Sequence, residues 1–188
     1  MPRISADSVS DHREQVHRRV FAAFAELMAE TGYDAITMAQ VAERAGLGRT
    51  AIYHHFRDKE SVVVAFATHE TTEYVDRLRA ALAESDDPVE QMRIYVRHHL
   101  VAGERFHMGL GPSLYGRLSD EARQSIGEHV RAVEDVLREV LERGRAAGAL
   151  RFDDVAATMS LIHACLSPRH LAPGATESFV LRAVGAAD

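Results

Sequence analysis

The chain is poor in lysine. Lys59 is the one lysine among 188 residues, and every other strongly basic side chain is arginine. Cysteine is as scarce: Cys165 stands alone, so no internal disulfide can form, and residence in the reducing cytoplasm is expected. No apolar run approaches the ~18 residues that a membrane-spanning helix needs. The N-terminal stretch "MPRISADSVSDHREQ" lacks the apolar core of a signal peptide. Runs of β-branched residues with a period of two are missing, which argues against strands. No Ser/His/Asp arrangement, glycine-rich phosphate loop or paired metal-ligand motif is present, so an enzyme is not expected. A net charge of −6 speaks against a broad nucleic-acid surface. Its distribution softens that reading: residues 1–60 hold 8 Arg/Lys against 9 Asp/Glu, and the remainder 14 against 19.

What is present is helix. At 46% apolar and 27% charged, the composition is that of an ordinary globular chain rich in strong helix formers. Val16, Val20, Phe24 and Leu27 recur at helical spacing, predicting a first helix over about 11–30, with residues 1–10 as a disordered arm. Gly32 then supplies a left-handed cap. Thr37 and Gln40 form a capping box before a short helix over 38–44. After Ala45-Gly46 a second short helix is expected over 49–55, with Gly48 at its N-cap. Asp58 caps a long helix over about 59–84. Asp87-Pro88-Val89-Glu90 repeats the same grammar for a helix to about Glu104. A broken segment with one short helix comes next. Helices over about 120–147, 152–166 and 175–184 complete an all-α chain.

Residues 37–56 fit a helix-turn-helix: two short helices, a tight turn at Gly46, and a small core from Val41, Leu47 and Ile52. The second helix of such a pair can enter the major groove with its N-terminal residues at base edges. Those residues are Arg49 and Thr50, with His54 one turn on. Arginine is shaped for a bidentate contact to guanine.

The stretch "TMAQVAERAGLGRTAIYHHFRDKESVV" resembles the DNA-binding signature of the TetR family of bacterial transcriptional regulators. The likeness lies in the threonine at the second helix, the Ala-Gly turn, the Tyr-x-His-Phe run and the lysine that opens the fourth helix. It implies an all-helical homodimer with an N-terminal three-helix DNA-binding domain, residues 1–58. A helical ligand-binding and dimerisation domain, residues 59–188, would follow. The family pattern would set Thr37, Tyr53, His55 and Lys59 on backbone phosphates. A lysine at a helix N-terminus would act there as a point charge beside free backbone N–H groups. Two departures stand out. Gly48 replaces the usual Ser or Thr, and Leu47 the commoner valine.

The rest of the chain is less specific. The resemblance implies a pocket among the fourth to eighth helices. Candidate linings are Phe66; Met92, Tyr95, Val96 and His99; Phe106 and Met108; Leu114 and Tyr115; and Met159 and His163. Their mix suits a small, mostly apolar ligand. No metal or cofactor is expected, since no two histidines pair at i, i+4; a metal- or haem-binding sensor is the alternative. A regulator or activator without a small ligand is a further one. The segment "VAATMSLIHACL" is apolar on more than one face, with Ala156, Ala157, Ser160 and Ala164 small enough for close approach. The last two helices, about 152–186, are therefore expected to form a two-fold dimer. Such a dimer reads a palindromic double-stranded DNA operator. The functional expectation is a repressor released by an unidentified small-molecule effector.

Overall fold

The computed structural model describes residues 6–106, 112–167 and 171–186, with side chains for 11–101, 114–167 and 171–186. The side chain of Phe106 and all of Met108 lie outside these described residues. Among them the structure is entirely helical. The helices are α1 (Ala6–Thr31), α2 (Met38–Arg44), α3 (Arg49–His55), α4 (Lys59–Leu82), α5 (Pro88–Phe106), α6 (Pro112–Tyr115), α7 (Asp120–Ala146), α8 (Val155–Leu166) and α9 (Pro173–Ala183). A 3-10 turn, Tyr33–Ala35, links α1 to α2.

Helix ends fall where cap chemistry puts them. Thr37 Oγ1 accepts the Gln40 N–H, and Gln40 Oε1 accepts the Thr37 N–H, which closes the predicted capping box. The Asp58 carboxylate accepts the Ser61 N–H at 2.8 Å and starts α4. Asp154 does the same for Ala157, so α8 begins at Val155 rather than at 152. Pro173 occupies the first turn of α9, which starts two residues earlier than expected. The first helix departs most from expectation. It begins at Ala6, so residues 6–10 are helix and not arm.

The chain forms two compact units. The first holds α1–α3, α4 through Ala67, α6 and α7 through Ser125. Its core joins Val16, Val20, Phe21, Phe24 and Leu27 of α1 to Val41, Ile52, Phe56, Val62 and Phe66. Phe66 stacks edge-on against Phe21 and Phe24 at 5.9 and 5.7 Å. Burying each such side chain contributes about 1.5–3 kcal/mol. Polar ties hold the first unit's surface together: Arg117 pairs with Asp34, and the Ser119 N–H donates to Glu60.

The second unit holds α4 from Thr68, α5, α7 from Ile126, α8 and α9. Leu78, Met92, Tyr95, Val96, Leu137, Leu141, Leu150 and Val180 fill its core. Helix α9 is clasped to α5 through one carboxylate. Glu177 accepts from Arg97 at 2.6 Å and from Arg93 at 3.0 Å, and Arg97 first, then Arg93, hold it below the usual carboxylate range against the effect of burial. No helix among the described residues is long and apolar enough to cross a membrane.

Candidate nucleic-acid interface

A reading helix must be short, rigidly seated and free on its outer face. The seat is built from three directions. First, the turn itself: Gly46 takes φ +64°, the left-handed region open to glycine. Its N–H donates to Glu43 O and the Leu47 N–H to Ala42 O, closing α2 with a Schellman motif. Second, Arg19 of α1 reaches across. Its guanidinium donates to Ala45 O at 2.9 Å and to Gly46 O at 2.7 Å, meeting carbonyls that the end of α2 leaves open. Third, Arg44 pairs with Glu26 and Glu30 and ties α2 to α1. No sequence pattern marks Arg19, which sits beside the apolar stripe of α1 and finds its partners 26 and 27 residues away.

On this seat α3 presents Arg49, Thr50 and His54 to solvent, with Tyr53 48% exposed. Among the described residues none of the four makes a side-chain hydrogen bond or ion pair. Arg18, Arg19, Arg44 and Arg57 are all engaged, by Glu14, the turn carbonyls, Glu26 with Glu30, and Asp58. Arg49 is thus a fork with no partner, at the N-terminal end of α3. Buried Ile52 faces inward between these residues and fixes the rotation of the helix.

The phosphate set is disposed differently. Thr37 is exposed, but its hydroxyl also donates to Gln40 Oε1, so the cap occupies it. His55 is half-buried, its ring edge-on to His17 of α1 at 5.5 Å. Burial, then Arg13, His12 and His54, hold the His55 imidazole below its ordinary value. Lys59 is half-buried too. Its ammonium donates to Tyr33 O at 2.7 Å and Ile36 O at 2.9 Å, and lies 4.1 Å from the Tyr33 ring centroid. Burial lowers its pKa. The lysine thus joins the start of α4 to the 3-10 turn.

The pocket candidates divide between the units. Phe66, Leu114 and Tyr115 belong to the first; the Tyr115 hydroxyl donates to Arg123 O at 2.8 Å. Met92, Tyr95, Val96, His99, Met159 and His163 belong to the second, where they surround a polar cluster inside an apolar core. Tyr74 Oη and His99 Nδ1 lie 3.2 Å apart, and Tyr95 Oη and His163 Nε2 3.3 Å apart. Tyr95 stacks on His99, and Tyr74 meets His98 edge-on. Burial pushes both tyrosine hydroxyls well up and the His98 and His163 imidazoles down. Burial therefore favours the neutral forms of Tyr74, Tyr95, His98 and His163. His98 Nδ1 is buried and meets no partner among the described residues. No group of three metal-ligating side chains converges among the described residues.

The α8/α9 face is apolar and open. Leu161, Leu171 and Phe179 are 68%, 58% and 54% exposed, around a groove of about 540 Å³ lined also by Cys165, Ala183 and Val184. Ala156, Ala157, Ser160 and Ala164 are all exposed.

Comparison with known proteins agrees with this geometry. Residues 20–66 match the profile of bacterial regulatory proteins of the tetR family, and residues 85–168 a tetracyclin repressor-like C-terminal domain. The HTH-type transcriptional repressor AcnR of Corynebacterium diphtheriae is 33% identical over 162 residues, covering 82% of this chain and 76% of AcnR. The fatty acid metabolism regulator protein of Bacillus subtilis is 24% identical over 138 residues, 72% and 71% of the two chains. A crystal structure of the transcriptional regulator FadR from Bacillus subtilis in complex with stearoyl-CoA shares the fold. Its TM-score is 0.70 at 20% identity, over 89% of this chain and 88% of that one. The chain belongs to the TetR family of bacterial regulatory proteins, helix-turn-helix regulators of transcription.

Proposed function

We propose that the protein is a repressor that binds a palindromic operator as a homodimer and is released by a small effector. The observation that carries the reading is the face of α3, unpartnered among the described residues: Arg49, Thr50, Tyr53 and His54 project from a helix locked by Arg19 and a capped turn. In this reading Arg49, Thr50 and His54 discriminate bases, while Thr37, Tyr53, His55 and Lys59 position the backbone. The functional division falls near residue 58, with the DNA-reading element before it and the effector and dimer elements after it, and the protein acts in the cytoplasm. AcnR, by its name a repressor, supports the sign of regulation.

The exposed apolar face of α8 and α9 supports a two-fold dimer through those helices, with Leu161 and Phe179 at its centre and small residues permitting close approach. The Tyr/His cluster supports an effector site in the second unit: an apolar wall with a few polar groups. Helix α4 supplies residues to both units, so a ligand that prefers one disposition of α4 biases DNA affinity, and DNA biases ligand affinity equally. The FadR complex with stearoyl-CoA makes acyl-CoA thioesters the first effector class to test.

Selection from random duplex DNA tests the reading. The expected product is an inverted repeat with half-sites about one helical turn apart. Enrichment of no sequence, or of a single half-site without symmetry, contradicts it.

A further inference from the structure

The edge where α1 meets α3 gathers basic groups of both helices. The His17 ring of α1 packs against His55 at 5.5 Å and Phe56 at 4.8 Å. Arg13 lies one turn N-terminal of His17 on the same face of α1, with His12 beside it; both are exposed. Helix α3 brings His54, exposed, and His55, half-buried, to the same edge. Of the nearby carboxylates, Glu14 pairs with Arg18 and Asp58 with Arg57, each at 3.0 Å, and Asp11 stands exposed one residue before His12. Among the described residues Arg13 has no ion pair or hydrogen bond. The groups around His55 are thus His12, Arg13 and His17 from α1, His54 from α3, and the Arg57–Asp58 pair that follows Phe56.

Crowding of like charges destabilises a free protein, and the crowding is relieved when an anion arrives. Here the crowd sits beside α3, on a chain whose net charge is −6. We propose that Arg13, with His12 beside it, extends the DNA interface from α3 onto α1, taking backbone phosphodiesters. The inference rests on the reading that α3 binds duplex DNA. It adds residues that lie outside the helix-turn-helix motif.

The test is binding of the full chain to a fluorescent random-sequence duplex of about 30 base pairs, titrated against salt near pH 7.5. Each phosphate neutralised adds about 0.9 to the slope of log affinity against log salt. Arg13→Ala should be shallower than wild type by about 0.9, and Arg13→Lys should keep the wild-type slope. An Arg13→Ala slope equal to wild type overturns the proposal. Thermal melts guard against misfolding: a lower melting temperature for Arg13→Ala with an unchanged slope also counts against the proposal. If the wild type binds no duplex, the DNA-binding reading itself fails. That result differs from binding that merely ignores position 13.

Discussion

The ammonium of Lys59 sits 2.7 Å from the carbonyl oxygen of Tyr33 and 4.1 Å from the centre of the same residue's ring. One side chain at the start of α4 therefore closes the 3-10 turn between α1 and α2, taking the Ile36 carbonyl as well. A compact ammonium with three donors serves two carbonyls and a ring face together here; the longer, planar guanidinium would need them differently spaced. This gives the single lysine of the chain a structural role in the free protein, whatever it does on DNA.

Replacing Lys59 should therefore cost stability without any DNA present. Lys59→Ala should lose about 1–3 kcal/mol, read by chemical denaturation, and Lys59→Arg should fail to restore all of it. A residue that only touched phosphate would leave the denaturation curve where it was.

Of Gly32, Gly46 and Gly48, Gly46 is the least tolerant of a side chain. Its φ of +64° costs an L-residue about 1–2 kcal/mol, and the Schellman bonds of α2 depend on it. An added Cβ would also stand 2.8 Å from the Arg19 guanidinium, which must then shift off the turn carbonyls. Gly46→Ala should lower both the denaturation midpoint and operator affinity. Gly48→Ala, at an ordinary φ of −66° with open space around it, should do much less.

Much of this was legible beforehand because local chemistry sets helix ends. The Thr37/Gln40 box, Asp58, Asp87-Pro88 and Gly46 act on neighbours a few residues away, and the elements they bound match the expected ones. The partners of Lys59 and Arg19 lie 23 to 27 residues off in sequence, on backbone carbonyls that no pattern marks. Phe66 shows another limit. The resemblance made it a candidate pocket lining, and its place in the sequence does not reveal that it packs on Phe21 and Phe24 of α1. The start of α1 at Ala6 was missed because polar residues 6–15 show no apolar stripe.

The Tyr/His cluster makes stability depend on pH. Burial holds His98 and His163 below their ordinary 6.5, so as pH falls the unfolded chain takes up protons before the folded one. Their contribution is complete above 6.5 and is lost as pH falls through the lower folded values. Denaturation midpoints should be flat between about pH 7 and 8 and fall towards about pH 5.5. His98→Phe should flatten that fall. It removes a buried nitrogen with no partner and keeps an aromatic ring against Tyr74, so its cost at neutral pH should stay within about 1 kcal/mol.

The α8/α9 face should govern assembly. Phe179→Glu or Leu161→Glu sets a charge in an apolar groove and should yield monomers by analytical ultracentrifugation, with helical content retained. A dimer that survives both substitutions places the interface elsewhere.

If the exposed face of α3 reads sequence, Arg49 carries the discrimination. Binding of wild type and Arg49→Ala should be measured side by side on the selected duplex and on a random duplex at one salt concentration. Arg49→Ala should lose about 1–3 kcal/mol on the selected duplex and far less on the random one, so that discrimination falls by about tenfold or more. An equal loss on both duplexes would make Arg49 another phosphate contact and contradict the assignment of α3 as the reading helix.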